Sequence, residues 1–514
     1  MPPSASDMPL ADIPLDDFLV RESVPVIEPR GFRDYDARWR YPEEINLLGV
    51  QRLGAGLGTF LREQAPGTSG AAPQRIVVGR DFRGYSLAIQ QALALGLVSA
   101  GMEVLDIGLG LSPTAYFARK ALDADAVAMV TASHNPNGWT GFKVGATHPL
   151  TFGPDEMARL RDITLEGECS PHPGGIYRRI EGIQEKYLDD LAARPGFTRG
   201  LRLVAACGNG TAGIFAPQLL RRLGARVIAM DCEPDPSFPN HEPNPEHLDM
   251  LEALREMVLQ EGADFGLAFD GDGDRCGVID ERGRILFADK IGLLMARSLA
   301  SHNEGAHFVV DSKTTGIFER DTVLRQHGAS VEYYKTGHSH IKHWIAKTGA
   351  LAGFEKSGHF YFAEPVGRGY DDAMLGAVLL CELLCREEKT LGELYDDLEK
   401  SFASPTMGVH CPDERKHAVV KAVAKEYAGL ARRNENIAGR KIAETIEVDG
   451  VRFVLDDGSW GLVRASSNKP SLVVVVESLV SREDMKTIFT DIDTRLRQFD
   501  EVGDYDQGLD GANS

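Results

Sequence analysis

A hydroxyl on a bend is the first chemically suggestive feature of the chain. In Thr131-Ala132-Ser133-His134-Asn135-Pro136-Asn137-Gly138, Ser133 follows the apolar run AVAMV of residues 126–130. That places it at the C-terminal end of a predicted strand, where the sites of α/β sheets gather. The Asn-Pro-Asn-Gly run supplies dense turn chemistry, which holds Ser133 and His134 on a sharp, exposed bend. The loop is not a hydrolase nucleophile elbow, because Thr131 and Asn135 stand where that motif needs glycines.

The second feature is Asp270-Gly271-Asp272-Gly273-Asp274-Arg275, between the apolar segments FGLAF and CGVID. Three carboxylates at alternate positions, separated by glycines, can fold around one hard divalent cation. Asp270, Asp272, Asp274 and Glu281 also match ligand positions of the helix–loop–helix calcium site. Arg275 occupies the position where that loop requires glycine, and the flanks read as strands, so Mg²⁺ fits better. The third is Arg464-Ala465-Ser466-Ser467-Asn468-Lys469-Pro470-Ser471, predicted to be a loop before the strand LVVVVE. A planar guanidinium fork, small polar donors and a lysine charge can together bind a phosphate dianion.

Two further segments carry polar chemistry. In FEKSGH, residues 354–359, Glu355, Ser357 and His359 alternate, so an extended segment would point them to one side. Glutamate and serine suit sugar hydroxyls, and a histidine exchanges protons near neutral pH. GNGTAG, residues 208–213, matches the dinucleotide fingerprint, with Asp231 about twenty residues downstream, which alone would suggest an NAD-dependent oxidoreductase. Equivalent turns elsewhere read GRDFRG and DSKTTG. The dinucleotide reading also leaves the Ser133 and aspartate loops without a role.

These loops need elements to position them, and a strand–turn–helix–strand unit recurs. Its copies begin at RIVVGRDFRG (75–84), LRLVAACGNGTAG (201–213) and HFVVDSKTTG (307–316). Each continues into a Gly-x-x-Val strand start, at Gly101, Gly224 and Gly328. Such units imply parallel or mixed sheets covered by helices. The last hundred residues read as α+β. A helix is predicted over 412–431, strands over VRFVLDD and SLVVVVES, and a closing helix over 481–499 capped by Ser481. The region of Pro405 is the expected linker. Residues 1 to about 28 are expected to form a loose arm, and the acidic, Gly-rich tail after Phe499 is expected to fray.

Bulk properties bound the function. A length of 514 residues suggests roughly three or four domains. The net charge of −20 argues against a nucleic-acid binder and requires a local cation cluster for any anionic substrate. Cys169, Cys207, Cys232, Cys276, Cys381, Cys385 and Cys411 form no CxxC pair, which fits a reducing compartment. The N-terminus lacks the pattern of a signal peptide, and no apolar run approaches the roughly 20 residues of a membrane span. Cytoplasm, with no membrane partner, is the expectation.

The order TASHNPNGWTGFK, DGDGDR, KTGHS, FEKSGH and RASSNKP resembles the α-D-phosphohexomutase superfamily, specifically its phosphomannomutase/phosphoglucomutase branch, from about Phe32 to beyond Pro470. The resemblance implies four domains around a central cleft, three similar α/β domains with mixed sheets plus a C-terminal α+β domain. Its domain limits are 1–182, 183–284, 285–403 and 404–514. Ser133 becomes the phosphoserine and, through its phosphate, joins Asp270, Asp272 and Asp274 as a Mg²⁺ ligand. Glu355, Ser357 and His359 become contacts to sugar hydroxyls. Arg464, Ser466, Ser467, Asn468 and Lys469 become the holders of the unreactive phosphate. FRDYDARW resembles the N-terminal motif, placing Tyr35 and Arg38 in the cleft, and Lys143, Arg275, Lys335 and His338 match positions lining it. Trp39 and Phe354 stand where relatives usually carry glycine, and Lys356 lies inside the sugar loop.

The implied activity is reversible interconversion of hexose 1-phosphate and hexose 6-phosphate through a hexose 1,6-bisphosphate, which also acts as activator. Lys143 and His359 are the expected proton carriers, while Arg38 and Arg275 spread the transferring charge. A phosphoglucosamine mutase is the alternative within the superfamily. The expected state is monomer or homodimer.

Overall fold

The structure is a computed structural model, and it describes residues 23–64, 74–467 and 469–509. Most of the expected N-terminal arm lies outside the described residues. The first sheet is mixed. Its strands run Ala37–Arg40, Trp139–Gly145, Ala126–Val130, Arg75–Arg80, Glu103–Leu109 and Ile176–Arg179 in spatial order. The last four are mutually parallel, and Trp139–Gly145 runs antiparallel between Ala37–Arg40 and Ala126–Val130. Every residue of Ala126–Val130 is buried, which is why it reads as a continuous apolar run and not as an alternation.

The recurring unit appears in each of the first three sheets. Arg75–Arg80, the helix Ser86–Ser99 and the parallel strand Glu103–Leu109 form one copy. Arg202–Ala206, Ala212–Arg222 and Arg226–Met230 form the second. In the third, His307–Asp311 and Ser330–Tyr334 are again parallel. The connecting helix there shrinks to a 3₁₀ turn at Gly316–Glu319 and the short helix Thr322–Gln326. The aspartate loop closes the hairpin between Phe265–Phe269 and Cys276–Asp280, confirming strands and not helices on its flanks.

The fourth sheet is antiparallel. Ser471–Ser478 pairs with Trp460–Ala465, Phe402–Ala403 and Met407–His410. Several strands escaped the sequence reading, among them the short Phe402–Ala403, Met407–His410 and Asn436–Ile437 and two longer ones. Arg440–Ile446 is mostly half-exposed, and Trp460–Ala465 runs between the two strands that had been expected to flank a loop. The expected loop 464–471 is correspondingly shorter, because Arg464 and Ala465 end a strand. The tail through residue 509 does not fray. Asp506 exchanges backbone and side-chain hydrogen bonds with Gly408, and Gln507 Nε2 donates to Thr406 O at 2.6 Å.

One apolar cluster runs continuously through the first three sheets and their helices, from Val77 to Leu398, whereas the fourth sheet packs its own core around Val474, Phe453 and Ile488. Polar contacts cross the join between third and fourth domains. Buried Glu477 accepts from Thr315 Oγ1 at 2.7 Å and Gly316 N at 2.9 Å, and within its own sheet from Trp460 Nε1 at 2.6 Å. All seven cysteines are free, and Cys207, Cys276, Cys381 and Cys411 are buried. No helix among the described residues is long and apolar enough to cross a membrane.

The closing helix spans Arg482–Leu496, and Ser481 Oγ accepts from Asp484 N at 3.1 Å, as its N-cap reading requires. The Ser481→Ala protein is expected to lose about 1 kcal/mol of stability, measured as a lower urea midpoint, with turnover unchanged.

Candidate active site

The four sheets surround a cleft of about 1100 Å³ of non-protein space, and each contributes to its lining. Tyr35, Arg38, Ser133 and Lys143 come from the first domain, and Asp274 and Arg275 from the second. His338, Glu355, Ser357 and His359 come from the third, and Arg464, Ser466, Ser467 and Lys469 from the fourth. Asn468 lies outside the described residues. Lys335 is exposed and is not among the residues lining this cleft.

Ser133 is 3% exposed and has φ +51°, a left-handed backbone in a residue that carries a Cβ. Single residues held in this region recur at functional sites, where surrounding structure over-determines them. Its Oγ donates to Asp270 Oδ2 at 2.9 Å and lies 3.3 Å from His134 Nδ1. Burial and neighbouring Arg275 hold the His134 pKa well below its ordinary value, so that ring is neutral.

Asp270, Asp272 and Asp274 are fully buried, and each presents a carboxylate oxygen within 4.8 Å of the others. Lys143 Nζ bonds Asp272 Oδ2 at 2.7 Å and also bonds Asp274 Oδ2. Burial disfavours the Lys143 ammonium, yet the two carboxylates outweigh it and hold its pKa well above the ordinary lysine value. Asp272 is likewise ionised despite burial, because Lys143 and the Ser112 hydroxyl at 2.6 Å stabilise it. Burial, then the charges of Asp274 and Asp272, push Asp270 up to about 7. Such crowding is relieved by a cation. The buried Asp272 Oδ1 and Asp274 Oδ1 have no hydrogen-bond partner among the described residues, so the donor set fits a hard divalent metal.

The aspartate loop is positioned from several domains. Ser112 N donates to Asp272 O at 3.0 Å, and Ala373 N to Gly273 O at 3.3 Å. Arg275 pairs with Asp270 at 3.1 Å and Glu246 at 3.3 Å, and its backbone bridges that of His359. Glu355–His359 is not extended, as its alternation had suggested. Glu355 N donates to His359 O at 3.0 Å across a turn between Ala352–Phe354 and Phe360–Phe362, with Gly358 at φ +95°. A Cβ on Gly358 would meet Cys276 O at 2.7 Å, so glycine permits this close approach to the aspartate hairpin. Glu355, Ser357 and His359 face the cleft all the same. Lys356 turns away toward Asp289 at 3.7 Å and the Phe287 ring, so this departure from the family pattern does not reach the cleft. Trp39, another departure, is buried beneath the first domain, with Nε1 donating to Glu28 O at 2.7 Å.

His359 Nδ1 lies 3.3 Å from Asp371 Oδ2, and Asp371 bonds the fully buried Lys342 at 2.8 Å. Burial works against the charged ring, but Asp274 and Asp371 prevail and raise its pKa to about 9. Asp371 escaped the sequence reading, as did Lys313 and Glu246 in the cleft wall. Lys313 had a usable signal, since it sits in the third copy of the repeat turn, just after the strand His307–Asp311. Arg464 pairs with Asp449 at 2.6 Å, and its Nη2 donates to Ser467 Oγ at 3.3 Å. Arg38, Lys143, Arg275, Lys313, Arg464 and Lys469 thus concentrate positive charge in the cleft of an acidic protein.

The glycines of GNGTAG serve protein packing. Cβ atoms on Gly208, Gly210 and Gly213 would meet Pro243, Gly271 and Cys232 within 2.7 Å, so the room a pyrophosphate would need at this turn is filled. That removes the structural basis of the dinucleotide reading.

Comparison with known proteins agrees with this geometry. Four domain families match in order, described as "Phosphoglucomutase/phosphomannomutase, alpha/beta/alpha" domains I, II and III over residues 29–169, 185–283 and 287–402, and the C-terminal domain over 407–495. The chain is 33% identical over 460 residues to a phosphomannomutase/phosphoglucomutase of Pseudomonas syringae pv. tomato, covering 89% of this chain and 93% of that one. It is 33% identical over 462 residues to a phosphomannomutase of Salmonella montevideo, covering 87% and 94%. The crystal structure of a phosphoglucomutase/phosphomannomutase family protein from Burkholderia thailandensis aligns with TM-score 0.80 and 28% identity, over 92% of this chain and 98% of that one.

Proposed function

The chain belongs to the phosphoglucomutase/phosphomannomutase family and is a phosphohexomutase, and from that premise we propose that Ser133 is its phosphate carrier for mannose and glucose phosphates. The observation that carries this reading is the Ser133 hydroxyl, 2.9 Å from Asp270 in a cleft whose other walls offer cations and polar side chains.

In this reading the phosphorus–Oγ bond of phospho-Ser133 breaks as a new one forms to the free C1 or C6 hydroxyl of a hexose monophosphate. The hydroxyl proton passes to the departing serine oxygen, with Lys143 and His359 as the groups that move it. The bound 1,6-bisphosphate turns over, and its other phosphate returns to Ser133. Asp270, Asp272 and Asp274, with an oxygen of the serine phosphate, would hold Mg²⁺. When bound, that ion supplies charge neutralisation at the transferring phosphoryl oxygens. Arg38 and Arg275 spread the same charge from the protein side. Lys143 is held by Asp272 and Asp274, and His359 Nδ1 lies 3.3 Å from Asp371 Oδ2, so both are fixed in the cleft wall for that proton transfer. Glu355 and Ser357 orient the sugar hydroxyls, and Arg464, Ser466, Ser467 and Lys469 clamp the distal phosphate in both orientations. The free thiols favour a reducing compartment, and we place the enzyme in the cytoplasm.

The test supplies mannose 1-phosphate, glucose 1-phosphate and glucosamine 1-phosphate separately, with Mg²⁺ and trace glucose 1,6-bisphosphate, and follows 6-phosphate formation. Comparable rates for mannose and glucose support the assignment. A rate confined to glucosamine would replace it with the aminosugar reading. Arg464→Ala is expected to raise KM about 10- to 100-fold, the scale of a lost hydrogen bond to a charged group, with a smaller change in kcat. An unchanged KM would remove Arg464 from the phosphate clamp.

A further inference from the structure

The turn GRDFRG, residues 79–84, has no assigned part in this chemistry, yet its charged pair is buried against the serine loop. Arg83 Nη1 bonds Asp81 Oδ2, and both side chains are 1% exposed. Nη2 crosses to the serine loop, donating to Ser133 O at 3.1 Å and Asn135 O at 2.5 Å. Asp81 holds the same loop, accepting from Ala132 N at 3.3 Å, and it is itself held by the Ser86 hydroxyl at 2.5 Å.

A buried ion pair is weak evidence for stability, because desolvation offsets most of the attraction, and fixing a geometry is its better-attested use. The geometry here is the left-handed backbone of Ser133, which side-chain-bearing residues disfavour. Gly271 also lies so close that a Cβ there would meet Ser133 O at 2.4 Å. Gly271 is held in turn by the second repeat's version of the turn. Thr211 N donates to Gly271 O at 2.9 Å, while Thr211 Oγ1 accepts from Phe82 N at 3.3 Å. The Ser133 carbonyl is therefore gripped between a guanidinium and the aspartate loop. The equivalent turns of two repeats have met around it.

We propose that Arg83, oriented by Asp81, is a positioning residue for phosphoryl transfer: its grip on the Ser133 and Asn135 carbonyls keeps the Ser133 backbone left-handed and its Oγ directed at the aspartate cluster. Arg83 is not among the residues lining the cleft, so it contributes nothing to substrate affinity directly. Released from this grip, Ser133 relaxes toward an ordinary backbone conformation and its oxygen swings away from the line of transfer. The loss falls on kcat and leaves KM in place. The inference rests on Ser133 being the phosphate carrier.

The experiment compares Arg83→Met, Arg83→Lys and Ser86→Ala with the parent enzyme. It measures Tm, kcat, KM and phosphate incorporation at Ser133 from glucose 1,6-bisphosphate by mass spectrometry. Arg83→Met is expected to lower kcat about 100-fold, the effect of roughly an ångström of misplacement, with KM close to the parent's and slowed phosphate incorporation. Arg83→Lys recovers part of the rate, because an ammonium keeps the charge beside Asp81 but lacks the planar fork that reaches two carbonyls. A folded Arg83→Met enzyme with parental kcat, or one whose loss lies in KM, overturns the proposal. If the Arg83 variants do not fold, Ser86→Ala decides: a fall in kcat of about fivefold at constant KM supports it, and an unchanged kcat overturns it. A Ser133→Ala enzyme that still turns over would sink the carrier reading itself. An inactive Ser133→Ala beside a fully active Arg83→Met sinks only the positioning role.

Discussion

Turnover of the Ser133→Ala enzyme is expected to fall by roughly 10⁴- to 10⁶-fold, the scale on which removal of a covalent nucleophile acts. In the proposed route every phosphoryl transfer begins or ends on this oxygen, so the other cleft residues offer no substitute. The fold is expected to survive. The lost hydroxyl bonds Asp270 and lies 3.3 Å from His134 Nδ1, and Arg275 Nε still holds the same Asp270 oxygen at 3.1 Å. A companion variant separates backbone from side chain. Ser133→Gly is expected to be more stable than Ser133→Ala by about 1 kcal/mol, because glycine adopts φ +51° without a Cβ clash. Both should be equally inactive. Turnover by coupled assay and stability by urea denaturation check this pair. Wild-type rates from Ser133→Ala would end the phosphoserine route.

The second large effect is expected at Asp272. Asp272→Asn removes one of three crowded carboxylates and the ion pair to Lys143 at 2.7 Å. Activity is expected to drop by roughly 10³-fold, since neutralising charge on a transferring phosphoryl group is worth several kcal/mol. A second readout does not involve turnover. Mg²⁺ at a hundredfold excess over its Kd stabilises the parent by about 2.7 kcal/mol, and the resulting rise in Tm should vanish in the variant. The apo variant should fold, because losing a buried like charge beside Asp270 and Asp274 offsets part of the broken pair with Lys143. A variant that keeps both its Mg²⁺-dependent rate and its thermal shift would show that this cluster is not the metal site. A thermal shift specific to Ca²⁺, without mutase activity, would restore the calcium alternative.

Much of the architecture was legible because it is written in local patterns. Apolar runs such as AVAMV, turn residues after them, and the recurring Gly-x-x-Val starts report strand, turn and helix without reference to distant residues. The aspartate loop was equally legible, since alternate carboxylates between glycines have few other uses. The segment FEKSGH does bring Glu355, Ser357 and His359 to the cleft, but its shape was misread. Alternation suggested an extended strand, but Gly358 allows a tight turn against Cys276, which lies far away in sequence. The fourth sheet hid Arg440–Ile446 and Trp460–Ala465 because the first is largely solvated and the second lay in a stretch assigned to a loop. The tail was misjudged on composition, and its actual pairing with Gly408 depends on a partner about a hundred residues away.

By itself the sequence determined which chemical groups are present, the order of their loops and the strands that end beside them. Those depend on residue type and near-neighbour spacing. Only the tertiary structure decided that Ser133 is left-handed and aimed at Asp270, and that Lys143 neutralises two aspartates. It also decided that Asp371 supports His359, that Lys356 points away from the cleft, and that the fingerprint glycines pack against Pro243, Gly271 and Cys232. Each of those outcomes is a contact between segments remote in the chain. Their energies come from burial and from charge in a low-dielectric interior, which no local pattern encodes.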